Sequence, residues 1–571
     1  MAITATDTTR NQSDESDSAC PASHLLWAVP LNGSLFCQRV IGNDLTGLIV
    51  PSPESNEETV PKQRSHIWQR LYKNTAALAF TQIINTAGSL LLVPLFLSCW
   101  SKEVYGEWMA LSALVAYYWS ADLGMNIASG NALIKAYQRS QWEEYREIQA
   151  SAFVFYIGMA SIVTALAAAT CYLLPVTRWL GVVYIPRATA ALVICLLASR
   201  IVWAMPAGQI WSIFRTTGDM STSQWFINLQ VFGVMAATAA VLYLGGGVAT
   251  LAAWTWCPLL ICALLAWLLV QRSHKDLLPR LPASSFRGVV NLIRPSLLFA
   301  LMMVASAIRV NGPVILVAHA LGGAAVAVLV TTRTLASVTS QMPTVLCWAL
   351  WPELTRLEAV GDKEALRTVH SLLVGAYIAI SITLVGTLWF EGQGLMGLWT
   401  RGRIVAQPWL VRMLLLYLLG QAPWMASSML AGATNQHRKL AWCQFLAGLG
   451  GVVFIALLLP RFRLVAVPLG LMAAEALACY HFVIADGCRL TNEPYGKFAG
   501  RVWFTLIFVT IVTLAVSSTA HLLPIAFVPF RLLVAGAVSA ITATVGVWKF
   551  FLSEPQRLLL ARRFTHSVVT S

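Results

Sequence analysis

The stretch LIRPSLLFALMMVASAIRVNGPVILVAHALGGAAVAVLVTTRTLASVTSQMPTVLCWAL (292–350) determines the fold class of this chain. It holds two apolar runs, 292–318 and 323–350, on either side of a glycine pair. A helix needs roughly 20 apolar residues to cross the hydrocarbon core of a bilayer. Each run is long enough, so the stretch predicts two consecutive transmembrane helices joined by a short turn.

The composition extends this reading to most of the 571 residues. Hydrophobic residues make up 57% of the chain, charged residues only 11%, and the mean hydropathy is +0.68. Soluble domains carry about 25% charged residues, and disorder requires low hydrophobicity, so both classes are excluded for the bulk of the chain. The sequence predicts an all-α polytopic membrane protein with about fourteen transmembrane helices. The predicted spans are 75–99, 107–132, 149–174, 185–211, 223–244, 248–270, 292–318, 323–350, 369–390, 409–433, 440–459, 464–486, 502–520 and 526–550.

The distribution of charge predicts the topology. With the N-terminus inside, the predicted cytoplasmic segments carry 25 basic residues and the outer loops carry 9. Basic residues favour the cytoplasmic side, so both termini are expected in the cytoplasm. The net charge of +14 favours anionic membrane lipids as partners. Nucleic acid is not expected as a partner, because no basic run is interleaved with aromatic residues.

An internal repeat suggests two homologous halves. QWEEYREI (141–148) aligns with DKEALRTV (362–369) at a shift of 221 residues, in what the sequence predicts to be two loops. At a shift of 217, Pro206 aligns with Pro423 and Thr217 with Thr434. Repeated halves are typical of secondary transporters, whose substrate site lies between the repeats near mid-membrane.

Five charged residues lie deep inside predicted spans, where a charge costs roughly 2.5 to 3.5 kcal/mol on insertion scales. They are Asp122, Arg200, Arg309, Arg333 and Glu475. One interpretation is a central cavity whose arginines hold an anionic headgroup, because the planar guanidinium pairs well with phosphate. The alternative is buried ion pairing, for example of an arginine with Asp122 or Glu475. The same span as Arg309 contains Asn311, Gly312 and Pro313, and this sequence predicts a kink or break.

No sequence motif indicates catalysis. The chain has no GxxxxGK[ST] loop, no HExxH and no GxSxG, which are the signatures of phosphate-binding loops, zinc proteases and nucleophile elbows. The eleven cysteines form no CxxC pair and are expected to pack as small apolar side chains. We therefore expect no enzymatic activity, no catalytic residues, no metal and no cofactor.

Three segments resemble a known family. They are LVPLFLSCWSKEVYGEWMALSALVAYYWSADLG (92–124), GPVILVAHALGGAAVAVLVTTRTLASVTSQ (312–341) and ALWPELTRLEAVGD (349–362). They resemble polysaccharide-biosynthesis membrane proteins, the Wzx-type flippases of the multidrug/oligosaccharidyl-lipid/polysaccharide exporter superfamily. The resemblance implies two six-helix lobes around a central cavity, alternating access, and a polyprenyl-diphosphate-linked sugar as cargo.

The expected organisation follows from the spans and the resemblance. Residues 1–64 are expected to form a weakly structured cytoplasmic tail, unless translation begins later than Met1. The helical part divides into an N-lobe (65–286), a C-lobe (287–490) and two additional helices (491–552), and a cytoplasmic tail (553–571) follows.

The leading function is a flippase of the bacterial inner membrane for a lipid-linked oligosaccharide used in surface polysaccharide assembly. Its expected partners are that substrate, membrane lipids, and a polysaccharide polymerase or glycosyltransferases. Arg200, Arg309, Arg333, Asp122, Glu475 and Asn311 are the candidate cavity residues. The alternatives are a drug exporter of the same superfamily, a membrane glycosyltransferase or polymerase, and a non-transporting component of the assembly complex.

Overall fold

The computed structural model describes residues 80–81, 84–434, 436–522 and 527–558. The predicted tail 1–64, the start of the first predicted span and the last thirteen residues lie outside the described part. Within the described part all regular structure is helical. In chain order the helices are α1 (Ile84–Cys99), α2 (Lys102–Val115), α3 (Met125–Gln138), α4 (Trp142–Leu173), α5 (Val176–Trp179), α6 (Arg187–Thr216), α7 (Met220–Tyr243), α8 (Val248–Trp254), α9 (Trp256–Ser273), α10 (Phe286–Leu321), α11 (Gly323–Val360), α12 (Lys363–Trp399), α13 (Pro408–Ala433), α14 (Arg438–Phe462), α15 (Ala466–Glu475), α16 (His481–Leu490), α17 (Tyr495–His521) and α18 (Val528–Phe550).

The described helices cross the bundle fourteen times, which confirms the predicted fold class. Eleven segments are long and apolar enough to span a membrane. One of these, Arg438–Leu490, has 53 residues and holds two passes, because the backbone turns at Arg463 with a φ of 48°. Helix α1 and the interrupted pair α2–α3 supply the remaining two passes.

Several helices are longer than the apolar runs from which they were predicted. Helices α10, α11 and α12 have 36, 38 and 37 residues, or about 55 Å at 1.5 Å per residue. A hydrocarbon core is about 30 Å thick, so these helices extend beyond it. The segments 141–148 and 362–369 were predicted to be loops. They instead form most of the first turns of α4 and α12.

The predicted outer loop between Glu391 and Pro408 is also shorter than expected, because α12 continues to Trp399. Glu391 is fully buried and accepts hydrogen bonds from Arg531 Nε at 2.6 Å and His521 Nδ1 at 2.6 Å. These contacts dock the last two helices onto the end of α12 and hold its final turns in helical form. The loop therefore contains only residues 400–407.

Small residues allow the last helix to approach α12 closely. A Cβ added at Gly386 would lie 2.6 Å from Ser539 Oγ, and one added at Gly375 would lie 2.8 Å from Phe551 Cδ1. Close backbone approach through small residues is how helices associate in bilayers, where apolar side chains gain little from leaving lipid. The two C-terminal helices are therefore packed against the second half of the protein.

Contacts between the first half (α1–α9) and the second half (α10–α16) include a group at one end, which we call the closed end. There the Trp399 indole donates to the Leu90 carbonyl at 2.7 Å, and His319 Nδ1 lies 2.8 Å from the Trp179 carbonyl oxygen. A Cβ at Gly106 would lie only 1.7 Å from the Gly323 carbonyl oxygen. The backbones of α2 and α11 thus touch at this end.

The predicted break at Pro313 is not found, because α10 is one continuous helix from Phe286 to Leu321. A proline costs only one helical hydrogen bond, and neighbouring elements can support that turn. A Cβ at Gly312 would lie 2.7 Å from Val452 Cγ2 and 3.4 Å from the Tyr117 hydroxyl, so this turn is packed on two sides.

Irregular backbone occurs instead next to Asp122 and Glu475, the two acidic candidate residues. A 3₁₀ segment, Ala116–Asp122, ends at Leu123 and Gly124, which both have positive φ. A π-turn, Ala476–Tyr480, directly follows Glu475. Short π and 3₁₀ stretches within helices often mark functional positions.

Candidate functional site

Glu475 is the centre of a polar cluster inside the second half. Its side chain is 1% exposed and accepts hydrogen bonds from three side chains of α13. The Tyr417 hydroxyl donates at 2.8 Å, Gln421 Nε2 at 2.7 and 2.9 Å to the two oxygens, and the Trp424 indole at 3.1 Å. Residues separated by three or four positions share one helix face, so α13 presents all three donors to the carboxylate.

Arg309 of α10 completes this cluster. Its Nη1 lies 3.7 Å from Glu475 Oε1, and its side chain is 25% exposed. The alternative interpretation of the sequence, an arginine paired with Glu475, therefore describes Arg309. The carboxylate is enclosed, whereas the Arg309 side chain remains partly exposed.

Arg333 of α11 adds a second positive charge beside the first. Its Nη1 donates to the Val310 carbonyl at 2.6 Å. The guanidinium lies close enough to Arg309 and Tyr417 to interact with them electrostatically. The cluster thus contains two half-buried arginines and one buried carboxylate, which pairs with Arg309, and its formal charge is an excess of one positive charge.

Asp122 is the centre of a different cluster, in the first half. It is 7% exposed, and the Tyr156 hydroxyl donates to its Oδ1 at 2.7 Å. The carboxylate also faces the backbone N–H groups of Gly124 and Asn126 at the start of α3. The N-terminus of a helix carries a partial positive charge that favours an anion. The helix interruption at Leu123–Gly124 is what brings this N-terminus to Asp122.

Neutral and basic side chains extend the Asp122 cluster. Gln209 Nε2 donates to Ser129 Oγ at 3.0 Å, and Arg215 Nη2 donates to the Asn126 carbonyl at 3.4 Å. A Cβ at Gly130 would overlap the Arg215 guanidinium, so the glycine makes room for that side chain. Arg215 was assigned to a cytoplasmic loop in the topology count, but it is the penultimate residue of α6 and only half exposed.

The structure brings three of the six candidate residues together, namely Arg309, Arg333 and Glu475. Asp122 lies in the separate cluster of the first half. Arg200 lies in α6, and its buried Nε has no hydrogen-bond partner among the described residues. Asn311 is half-buried in α10, beside the packed turn at Gly312. The prediction that all three arginines line one cavity stays a prediction.

Four residues of these clusters were not anticipated from the sequence: Tyr417, Gln421, Trp424 and Tyr156. Neutral polar residues barely change the hydropathy of a span, so they give little signal on their own. The spacing of Tyr417, Gln421 and Trp424 could have revealed the set, because it places them on one face of an otherwise apolar helix.

No protein-family model and no curated protein matches this chain. Solved structures do match it. An inward-facing multidrug resistance MATE family transporter of the MOP superfamily is 14% identical, with a TM-score of 0.61 over 72% of this chain and 96% of that one. The chain has the fold of MOP transporters.

Two further structures sharpen this likeness. The Lipid II flippase MurJ, in an inward closed conformation, is 12% identical, with a TM-score of 0.57 over 87% of this chain and 99% of that one. An outward-facing MATE family transporter of the MOP superfamily is 14% identical, with a TM-score of 0.52 over 74% and 96%.

Proposed function

We propose that this protein is a flippase that carries a polyprenyl-diphosphate-linked oligosaccharide across the bacterial inner membrane for surface polysaccharide assembly. Both termini lie in the cytoplasm, and transport proceeds by alternating access of the two halves. The fold shared with the flippase MurJ supports transport of a lipid-linked cargo. No hydrolysis is required, so the protein itself is not an enzyme.

The observation that carries the proposal is the excess of positive charge in the cluster of the second half. Arg309 and Arg333 supply two positive charges, and Glu475 neutralises one of them. Charge-assisted hydrogen bonds from guanidinium to phosphate are strong and directional. A diphosphate at the exposed part of Arg309 would supply the missing negative charge.

The closed end gives a route for the cargo. With α2 and α11 in contact at Gly106 and Gly323, a headgroup would enter between the halves from the opposite, cytoplasmic end while the polyprenyl chain stays in the bilayer. Separation of these contacts would then open the outer side. Rocking of two halves around a mid-membrane site is the common mode of secondary transporters.

The test is complementation of a deletion strain, scored by surface polysaccharide and by accumulation of the lipid-linked glycan in the cytoplasmic leaflet. Arg309→Ala and Arg333→Ala should fail to complement. Arg333→Lys should fail nearly as badly, because Nη1 already serves the Val310 carbonyl and a lysine has no second nitrogen for phosphate.

Arg200→Ala is the matched control, since Arg200 is also an intramembrane arginine but lies outside the cluster. It should complement at equal membrane abundance. Full complementation by both Arg309→Ala and Arg333→Ala at normal abundance would show that the arginines are structural and that the diphosphate site is wrong.

A second candidate is a drug exporter, because MATE transporters share this fold and the buried carboxylates of the described residues include Asp122 and Glu475, which lie within predicted spans. A cationic drug would need a free carboxylate, and Glu475 is already saturated by Tyr417, Gln421, Trp424 and Arg309. Drug susceptibility of the deletion strain distinguishes the two functions: a drug exporter predicts increased susceptibility that Asp122→Asn fails to correct.

A further inference from the structure

A groove runs along the outside of the second half, between α14 and the helices α15 and α16. Its apolar part has a volume of about 410 Å³ and is lined by Leu446, Gly450, Phe454 and Leu477, among others. Its polar part, of about 690 Å³, is lined by Arg438, Lys439, Asp486 and Arg489. The two parts share Trp442, Cys443 and Phe482, so they form one continuous groove with a charged end and an apolar end.

The charged end has an excess of positive charge. Asp486 is 6% exposed and pairs with Lys439 Nζ at 3.2 Å and Arg489 Nη2 at 3.0 Å. Arg438 is exposed and has no carboxylate partner among the described residues. Three cations and one carboxylate leave this end with two uncompensated positive charges, next to the N-terminus of the 25-residue helix α14.

The apolar end faces outward from the bundle. Trp442, Leu446, Leu477 and Phe482 are each at least half exposed. Tryptophan favours the boundary between headgroups and hydrocarbon, and Trp442 lies where the charged part of the groove meets the apolar part. The groove therefore has the polarity and dimensions of a lipid molecule, with a site for an anionic headgroup above a slot for a hydrocarbon chain.

We propose that this groove binds one anionic phospholipid of the surrounding membrane, with its phosphate on Arg438, Lys439 and Arg489 and one acyl chain along Leu446, Gly450 and Leu477. Two features separate this lipid from the transported cargo. The lining residues all belong to α14, α15, α16 and the π-turn, and neither Arg309 nor Arg333 is among them. A different occupant, a helix of another protein, could fill the apolar slot, but an apolar helix would bring no anion for the cations.

The groove adjoins the Glu475 cluster of the second half through the π-turn. Leu477 and Ala478 line the groove and belong to the turn that begins directly after Glu475. A lipid chain packed against Leu477 therefore supports the same backbone segment that positions the carboxylate. Lipid binding should raise the thermal stability of the protein as well as occupy the groove.

Titration of the purified full-length protein with phosphatidylglycerol or phosphatidylcholine, followed by native mass spectrometry, tests the proposal. One phosphatidylglycerol should bind in preference to phosphatidylcholine and raise the melting temperature. Arg438→Gln/Lys439→Gln leaves the Asp486–Arg489 pair intact and should weaken binding about 30-fold, since each cation near an anionic lipid contributes about fivefold. Arg272→Gln/Lys275→Gln, which removes two exposed cations outside the groove, should leave binding unchanged.

A second variant tests the apolar end independently. A Cβ at Gly450 meets only Ala474 Cβ at 3.5 Å, so Gly450→Leu is compatible with the helix and fills the slot. It should abolish the specific binding of phosphatidylglycerol, whereas Gly500→Leu, where no atom lies within 4 Å of the added Cβ, should not. The proposal is overturned if phosphatidylcholine binds equally well, if Gly450→Leu binds like the wild type, or if the control variants lose affinity to the same extent.

Discussion

The two halves of the bundle each bury one carboxylate beneath a tyrosine hydroxyl, but they satisfy it in different ways. Asp122 accepts one hydrogen bond from Tyr156 and faces the backbone N–H groups at the start of α3. Glu475 accepts hydrogen bonds from Tyr417, Gln421 and Trp424 and pairs with Arg309. Asp122 is thus held by backbone N–H groups and one hydroxyl, whereas Glu475 is held by side chains.

This difference indicates a division of roles. A carboxylate held by a helix N-terminus needs a helix interruption, and Leu123–Gly124 supplies one. A carboxylate held by side chains can also pair with an arginine, as Glu475 does with Arg309. Arg309 and Arg333 then form a positively charged site. We therefore expect the Asp122 cluster to act mainly in structure and the Glu475 cluster to act mainly in binding.

The largest effect on stability should come from Glu475→Ala. The substitution removes the acceptor that three side-chain donors share and the counter-ion of Arg309, and breaking a buried ion pair costs roughly 3–5 kcal/mol. Asp122→Ala should cost less, about 1–3 kcal/mol, because mainly the Tyr156 hydroxyl is left unpaired. Unfolding of the purified proteins in mixed detergent micelles measures both free energies. If Asp122→Ala costs as much as Glu475→Ala, the ranking of the two clusters is wrong.

A double-mutant cycle should isolate the interaction energy of the Arg309–Glu475 ion pair from the other contacts of the Glu475 cluster. The double variant Arg309→Ala/Glu475→Gln should lose about 0.5–3 kcal/mol less stability than the sum of the two single losses, the range for residues in direct contact. The same cycle on Arg200 and Glu475 serves as the control and should show additivity within roughly 0.5 kcal/mol. Additivity in the first cycle would mean that the 3.7 Å contact contributes nothing.

The smallest effects should come from removing one hydroxyl group in each cluster. Tyr156→Phe leaves Asp122 with backbone N–H groups alone and should cost about 0.5–1.5 kcal/mol, as expected for the loss of one intramolecular hydrogen bond. Tyr417→Phe should cost less, because Gln421 and Trp424 still donate to Glu475. The difference in free energy of unfolding between the two phenylalanine variants decides this point, and the reverse order would contradict it.

Most of the fold could be predicted from the sequence because a membrane span has a strong hydropathy signal. The fourteen apolar runs correspond to fourteen passes. Hydropathy does not show where a helix ends beyond the bilayer, so the final turns of α12 up to Trp399 were assigned to a loop. It also does not show whether neighbouring helices support a proline, and Pro313 was therefore expected to break α10.

The candidate site was predicted only in part, for a related physical reason. Charged residues are costly in hydrocarbon, so Asp122, Arg309, Arg333 and Glu475 stood out in the sequence. Their partners Tyr417, Gln421, Trp424 and Tyr156 did not, because they carry no charge. Which carboxylate pairs with which arginine depends on how α10, α13 and α15 pack together, and no local pattern encodes that packing.

The central claim is that the cluster of the second half, and not that of the first, binds the diphosphate of the cargo. The most direct measurement is binding of a short-chain prenyl diphosphate to the purified protein, with the corresponding uncharged prenol as the reference ligand. The wild type should prefer the diphosphate, Arg333→Ala should lose at least about tenfold in affinity because a charge-assisted hydrogen bond contributes roughly 1.5–3 kcal/mol, and Asp122→Asn should bind like the wild type. Equal binding of diphosphate and prenol, or an equal loss in Asp122→Asn and Arg333→Ala, would contradict the claim.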